Sequence, residues 1–154
     1  MSQLSHEVEI LRRIPLFQGI EPQKLKLIAF TSDIALFGPG ETIFRQGDPG
    51  DSAYLILSGE VAIVAETPVG EIELARLGPN DIVGEIGILC DMPRTATVRS
   101  LTALKTLRIS KDCLSDLLDA FPGMARTMLR ELALRLSRTT AELVLSRSGG
   151  GPAV

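Results

Sequence analysis

The sequence predicts a mainly β domain with flanking helices: a jelly-roll-like β-barrel between N-terminal helices and two C-terminal helices. Two observations support this fold class. Between residues 34 and 109, short β-branched runs alternate with turns rich in Gly, Pro, Asp and Asn, whereas the apolar residues on either side recur at helical spacing. A chain of 154 residues, 45% of them hydrophobic and 23% charged, is long enough to bury the core of one domain.

The first thirty residues predict two short helices. Residues 5–13 show a helical pattern that begins at Ser5 as an N-cap, and the Ile-Pro-Leu-Phe sequence at 14–17 interrupts it. Residues 21–30 resume as a second helix, in which Pro22 suits the first turn. This segment, 1–30, is expected to form the helical N-terminus of the domain.

Residues 31–109 predict the barrel. Seven strands are expected, at 34–37, 42–44, 53–57, 61–65, 72–77, 95–99 and 104–109. Turn sequences such as Gly-Pro-Gly and Gly-Pro-Asn-Asp separate them, and strands this short favour a sandwich or a jelly-roll-like barrel. Alternation is imperfect at 61–64, which is typical of a strand buried on both sides.

Residues 111–146 predict two helices. The first spans 111–120 and ends at Phe-Pro-Gly, and the second spans 124–146. Four leucines of the second helix follow three-four spacing and form either a dimer seam or a face packed on the barrel: Leu129, Leu132, Leu136 and Leu143. We expect residues 1–146 to form one domain and the Gly-rich residues 147–154 to be a disordered tail.

Composition excludes several function classes. The formal net charge of −3 argues against broad electrostatic binding to nucleic acid. The single histidine, His6, lies in the first predicted helix, so metal-dependent and Ser-His or Cys-His catalysis lack their usual residues. Cys90 and Cys113 have no metal or CxxC spacing and are expected to be free thiols. With no signal peptide in residues 1–10 and no apolar run of about 18 residues, we expect a cytoplasmic protein that is not an enzyme.

Residues 84–98 are the segment with the clearest chemistry. Gly84, Glu85 and a short apolar helical turn precede Arg94, which opens a β-like run. Arginine keeps its charge when desolvated and donates two parallel hydrogen bonds, and the amide end of a helical turn also attracts anions. An ionised glutamate accepts hydrogen bonds only, which suits a sugar hydroxyl. The alternative is that Glu85 and Arg94 form a structural ion pair beside a tight turn.

The order of residues in this segment identifies a family. Gly-Glu-Ile-Gly-Ile-Leu, a short gap and Pro-Arg-Thr-Ala-Thr-Val resemble the phosphate-binding cassette of the cyclic nucleotide-binding domain. Among its members, the sensory half of bacterial catabolite activator (Crp–Fnr type) regulators looks closest. The opening at 14–17 and the turns at 40–41, 47–52 and 57–59 are also similar to that family, so the resemblance covers residues 10 to about 145.

The resemblance implies site residues. Glu85 takes the ribose 2′-hydroxyl and Arg94 the cyclic phosphate, while amides of the cassette complete the phosphate cradle, together with the Thr95 hydroxyl. The cradle residues are Gly84, Ile86, Gly87 and Thr95. Apolar positions for the base are Ile63, Leu74 and Leu77, for which plain barrel core is the alternative. Thr139 and Thr140 match the pair that reaches adenine, sometimes from a partner subunit, and are otherwise tolerated polar residues.

The resemblance also implies a function without a cofactor. The ligand is expected to be cAMP rather than cGMP, although a threonine after the arginine, here Thr95, helps hold guanine in eukaryotic relatives. Binding is expected to repack the helices at 111–146 and signal to an unidentified protein partner, with a homodimer through 124–146 as one form. Because the sequence ends without a helix-turn-helix, direct DNA binding is not expected. The alternative is a dimerising scaffold that binds no nucleotide.

Overall fold

A computed structural model describes residues 3–149 of the chain. It contains five α-helices, one 3-10 turn and eight strands within that range. The elements in chain order are α1 (Gln3–Arg12), the 3-10 turn (Pro15–Phe17), α2 (Pro22–Thr31), β1 (Asp33–Phe37), β2 (Thr42–Phe44), β3 (Ser52–Ser58), β4 (Val61–Thr67), β5 (Gly70–Leu77), β6 (Ile82–Val83), α3 (Glu85–Leu89), β7 (Thr97–Ser100), β8 (Leu104–Ser110), α4 (Lys111–Ala120) and α5 (Pro122–Gly149).

The strands form two four-stranded antiparallel sheets, in the orders β1-β8-β3-β6 and β2-β7-β4-β5. Pairs such as Leu55 with Leu107, and Ile63 with Val98, set the registers at the centres of the two sheets. The predicted mainly β, jelly-roll-like fold is confirmed. The sheets are not closed into a barrel, because β6 has two residues and β2 three, too few to continue pairing around the edges.

Strand β3 separates two apolar clusters. Ala53 and Leu55 belong to the cluster formed with the helices, whereas Tyr54 and Ile56 belong to the cluster between the sheets. Successive side chains of a strand point to opposite faces, so the sheet containing β3 lies between the helices and the second sheet. This arrangement explains why the β3 sequence is apolar on both faces.

The structure differs from the sequence prediction at several elements. Helix α1 begins at Gln3, so Ser5 lies within it and is not its N-cap, and strand β7 begins at Thr97 rather than at 95. Strand β6 was not predicted, because two residues give no readable period. Helix α5 begins at Pro122 rather than at 124, since proline is accepted in a first helical turn. It also extends to Gly149, so residues 147–149 of the predicted tail are helical, and residues 150–154 lie outside the described range.

Candidate ligand-binding site

A cavity of about 330 Å³ lies between the sheet β2-β7-β4-β5, helix α3 and the middle of α5. Its volume is within the range of small-molecule pockets, which begins at about 300 Å³. The residues that line it come from five strands, two helices and the connections between them: Phe44, Ile63, Leu74, Ala75, Val83, Gly84, Glu85, Ile86, Gly87, Arg94, Thr95, Ala96, Val98, Arg135 and Thr139.

Gly84 forms the turn that leads from β6 into α3. Its φ of 86° is left-handed, and a Cβ there would lie 2.6 Å from Nη1 of Arg94 and 3.0 Å from the carbonyl oxygen of Ser52. Only glycine combines this backbone conformation with so little room. The absence of a side chain therefore allows the guanidinium to lie against the start of α3.

Arg94 is almost completely buried, with 2% of its side chain exposed. Nη1 donates to the carbonyl oxygen of Gly84 at 2.9 Å, Nη2 lies 3.5 Å from Oδ1 of Asp51, and Cζ lies 4.1 Å from the ring centroid of Phe44. Burial lowers the pKa of Arg94, and the carboxylate of Asp51 opposes that shift. Nε has no hydrogen-bond partner among the described residues, so the cation retains donor capacity beside the cavity.

Backbone hydrogen bonds position Arg94 from both sides of its peptide. Its N–H donates to the carbonyl oxygen of Asp48 at 2.8 Å, and its carbonyl oxygen accepts from the N–H of Gly47 at 2.9 Å. The turn at 47–48 is distant in sequence from Arg94, and these two hydrogen bonds fix the backbone position of the arginine relative to it.

Glu85 begins α3 and is 1% exposed. Its Oε1 lies 3.4 Å from Nη1 of Arg135 in helix α5, whereas Oε2 has no hydrogen-bond partner within residues 3–149. Burial raises the pKa of Glu85 and outweighs the opposing effects of its backbone hydrogen bond and of Arg135, while Glu131 adds to the rise. A buried carboxylate oxygen without a donor is unfavourable in the free protein and is suited to accept a ligand hydroxyl.

Glu85 and Arg94 do not pair with each other. Each has a different partner, Arg135 for the glutamate and Asp51 for the arginine. The alternative that Glu85 and Arg94 form an ion pair with each other is therefore wrong. Both charged groups instead face one cavity.

The residues predicted for the base are only partly brought together. Ile63, Leu74 and Thr139 line the cavity, whereas Leu77 packs in the cluster between the sheets. Thr140 lies outside the lining, and its hydroxyl donates to the carbonyl oxygen of Leu136 at 2.9 Å.

Helix α5 and strand β2 contribute cavity residues that the sequence analysis missed. Arg135 pairs with Glu85, and Phe44 lies against Arg94. Arg135 carried a signal, because it falls one helical turn before Thr139 and thus on the same face of the helix. Nothing in the sequence gives such an indication for Phe44, because an apolar residue in a predicted strand ordinarily belongs to the hydrophobic core.

Two other cavities lack comparable chemistry. One, of about 370 Å³, lies between α2 and α4, and another, of about 480 Å³, lies between α3, α4 and α5. Their charged lining residues, Lys24, Asp116 and Asp119, are all exposed. We therefore assign the candidate site to the cavity with the buried Glu85 and Arg94.

Other kinds of site find no support in residues 3–149. This range holds no group of three or more His, Cys, Asp or Glu arranged to bind a metal ion. None of its helices has both the length and the apolar character needed to cross a membrane. The two cysteines, Cys90 and Cys113, are free thiols.

Comparison with known proteins identifies relatives over most of the chain. The family model described as the cyclic nucleotide-binding domain matches residues 35–121. A CRP-like cAMP-activated global transcriptional regulator of Mycobacterium tuberculosis is 36% identical over 136 residues, which are 88% of this chain and 61% of the regulator. The chain thus spans about three fifths of the length of this curated relative.

Solved structures support the same assignment. The sensor domain of the transcriptional regulator DNR from Pseudomonas aeruginosa is similar with a TM-score of 0.76 and 26% identity, over 92% of this chain and 96% of that domain. The catabolite activator protein of Thermus thermophilus gives a TM-score of 0.72 and 32% identity, over 86% of this chain and 63% of that protein. Since the family model alone matches more than half of the sequence, the chain belongs to the cyclic nucleotide-binding domain family.

Proposed function

We propose that this chain is a receptor for a cyclic nucleotide, with cAMP preferred over cGMP, and that it passes the signal on through its C-terminal helices. One observation carries the proposal. A buried cation and a buried carboxylate, Arg94 and Glu85, each have an unpartnered polar atom among the described residues and face the same cavity. A ligand with a phosphate and an adjacent sugar hydroxyl complements both. The activity proposed is binding rather than catalysis.

The phosphate is assigned to Arg94 and to the start of α3. A cyclic phosphate diester carries one negative charge, and a buried guanidinium is the side chain that binds it with two directional donors. The first N–H groups of a helix have no partner within the helix. Gly84, Ile86 and Gly87 line the cavity there, and so does the exposed Thr95. These residues form the proposed phosphate cradle.

The ribose is assigned to Glu85. A 2′-hydroxyl donating to Oε2 supplies the hydrogen bond that this oxygen lacks among residues 3–149. Arg135 holds the other oxygen of the same carboxylate, 3.4 Å away. The sugar site therefore includes a contact to helix α5.

The base is assigned to the apolar side of the cavity and to Thr139. The Thr139 hydroxyl already donates to the carbonyl oxygen of Arg135 at 3.0 Å, so its oxygen is left to accept. Adenine presents an amino donor where guanine presents a carbonyl acceptor, which favours cAMP. A threonine at the position of Thr95 helps hold guanine in eukaryotic relatives, which supports the opposite preference, and titration with both nucleotides ranks them.

The signal is assigned to helix α5, because Arg135 joins it to Glu85. A ligand shifts a conformational equilibrium only by its differential affinity for the two states. A nucleotide that binds Glu85 acts on the ion pair between Glu85 and Arg135, so its affinity depends on how α3 and α5 are arranged. The protein that receives the signal is not identified, and a second copy of the chain, packed on the exposed leucines of α5, is one proposed partner.

Calorimetric titration with cAMP and then cGMP tests the proposal. We expect binding at micromolar affinity or better, about −8 kcal/mol, and tighter binding of cAMP. Arg94→Ala is expected to lose about 2–5 kcal/mol of this, because it removes the buried charge partner of the phosphate. Arg99→Ala is the matched control, since Arg99 forms an ion pair at the surface with Glu71, 2.8 Å away.

A folded protein, free of carried-over nucleotide, that gives no heat with either ligand contradicts the proposal. That result favours the alternative function, a dimerising scaffold that binds no nucleotide. Equal losses in Arg94→Ala and Arg99→Ala contradict the assignment of the phosphate to Arg94. Circular dichroism of both variants shows whether they fold.

A further inference from the structure

Three aromatic rings form a series that ends at the buried arginine. The ring centroids of Phe37 and Tyr54 are 6.1 Å apart with the planes at 72°, and those of Tyr54 and Phe44 are 6.1 Å apart at 33°. The Phe44 centroid is 4.1 Å from Cζ of Arg94. Only the last ring of this series lines the cavity.

The distance between Phe44 and Arg94 is that of a cation–π contact. A guanidinium within about 6 Å of a ring centroid is attracted by the negative face of the ring, most strongly where water is excluded. Here 2% of the Arg94 side chain is exposed. An aliphatic side chain of similar size fills space at this position but does not attract the cation.

The contact with the ring leaves the contacts of the two terminal guanidinium nitrogens with oxygen atoms in place. Nη1 remains bonded to the carbonyl oxygen of Gly84, and Nη2 faces Asp51. The ring and these two contacts together hold the guanidinium in place.

The backbone holds Phe44 in place for this contact. The pairing of β2 with β7 shifts register between Thr42 and Phe44, an irregularity of the kind that redirects a side chain. The edge of the ring passes close to Gly84, where a Cβ would lie 3.2 Å from Cε2. Ring, arginine and glycine are therefore packed as one unit.

We propose that Phe44 is a positioning residue for nucleotide binding: its ring holds the Arg94 guanidinium, in the free protein, in the position from which it binds the cyclic phosphate. This inference rests on the proposed function. Without the ring, the arginine side chain loses its fixed orientation, and the ligand has to restore it on binding. Pre-organisation of this kind increases affinity without a direct contact to the ligand.

Titration of four proteins with cAMP tests the role of the ring. Phe44→Leu is expected to bind about 5- to 30-fold more weakly than the wild type, and Phe44→Tyr, which keeps the ring, is expected to recover most of that loss. Phe37→Leu is the matched control, because it makes the same change in the same aromatic series, away from Arg94. It is expected to bind as the wild type does. Where Phe44→Leu does not fold, Phe44→Met replaces it, since methionine fills a similar volume without a ring.

A second readout separates positioning from general packing. In an Arg94→Gln background, which has no cation for the ring to attract, Phe44→Leu is expected to change the cAMP Kd far less than it does beside arginine, because residues that act together are not additive. Equal weakening in Phe44→Leu, Phe44→Tyr and Phe37→Leu overturns the proposal, and so does full additivity with Arg94→Gln. If the wild type binds cAMP and Phe44→Leu binds it equally well, only the role of Phe44 is overturned. If the wild type binds neither nucleotide, both the proposed function and the role of Phe44 are overturned.

Discussion

At the scale of single residues, the site depends on the absence of a side chain at Gly84 as much as on the charged residues beside it. A methyl group there would enter the space shared by Arg94 Nη1, at 2.6 Å, and Phe44 Cε2, at 3.2 Å. Gly40 offers a close comparison. Its φ of 80° is nearly the same, but a Cβ at that position meets nothing within 4 Å. Alanine variants at the two positions therefore separate the cost of backbone strain, which both have, from the cost of a steric clash, which only Gly84→Ala has.

We expect Gly84→Ala to abolish measurable cAMP binding, because the added methyl displaces the guanidinium. Both Gly84→Ala and Gly40→Ala should lose about 1–2 kcal/mol of unfolding free energy through the left-handed conformation, and Gly84→Ala should lose more through the clash. Urea denaturation and calorimetry on both variants measure the two effects. Wild-type affinity in Gly84→Ala would contradict the role given to this glycine, as would a large affinity loss in Gly40→Ala.

Part of the candidate site was predictable from local order alone, and part was not. Gly84, Glu85 and Arg94 stand within eleven consecutive positions, so the sequence brings their chemistry together. Phe44 and Arg135 come from strand β2 and helix α5, and only the fold places them beside those residues. The spacing of the sequence gives no sign of the role of Phe44, and it indicates Arg135 only through its place one helical turn before Thr139.

At the scale of elements, one ion pair connects the cassette helix α3 to the long helix α5. It joins Glu85 and Arg135 at 3.4 Å, on the buried side of both helices. Burial raises the pKa of Glu85 above its ordinary value of 4.5. A ribose hydroxyl that donates to the carboxylate favours the ionised form, so the pKa of Glu85 should be lower in the complex than in the free protein.

The sign of the pH dependence follows from that difference. Binding is linked to release of a proton wherever the free protein carries one on Glu85, so affinity should fall as the pH drops through the raised pKa of the free protein. The expected slope reaches about tenfold in Kd per pH unit. Glu85→Gln should bind more weakly at neutral pH and show no such slope. Calorimetric titrations with cAMP, from neutral pH down to the lowest pH at which the protein stays folded, measure both.

Glu131 provides the control for this prediction. It lies one helical turn from Arg135, and burial, together with Asp81, raises its pKa too. If Glu85 is the group that titrates, Glu131→Gln should keep a slope but displace it to lower pH, because the charge of Glu131 adds to the rise in the pKa of Glu85. A slope lost in Glu131→Gln and kept in Glu85→Gln would show that the wrong carboxylate had been assigned.

Helices and strands were predictable from the sequence where their apolar residues recur at a regular spacing over several positions. Seven strands and the four main helices were expected within a few residues of their observed ends, because alternation and helical spacing are local properties. Closure of the sheets was not predictable, because it depends on how far the short strands β2 and β6 pair with others. The same limit explains why β6 was missed.

At the scale of the whole molecule, helix α5 presents two different faces. Met124 and Met128 are buried against the rest of the domain, whereas Leu129 and Leu136 are 67% and 68% exposed. These two leucines are seven residues apart and lie on one side of the helix. An apolar stripe of this spacing is typical of a helix that pairs with a second copy of itself, as in a coiled coil.

We expect the chain to form a dimer through this stripe, with twice the mass of the 16.6 kDa chain in light scattering. Leu136→Glu should shift the protein toward the monomer, since two buried carboxylates would face each other at the seam. Leu134→Glu is the matched control: Leu134 is also exposed, at 56%, but lies about 160° around the helix from Leu136. It should remain a dimer. A monomeric wild type, or equal dissociation in both variants, would contradict this seam, and cAMP affinity measured in the two variants would then show whether the site works within one copy.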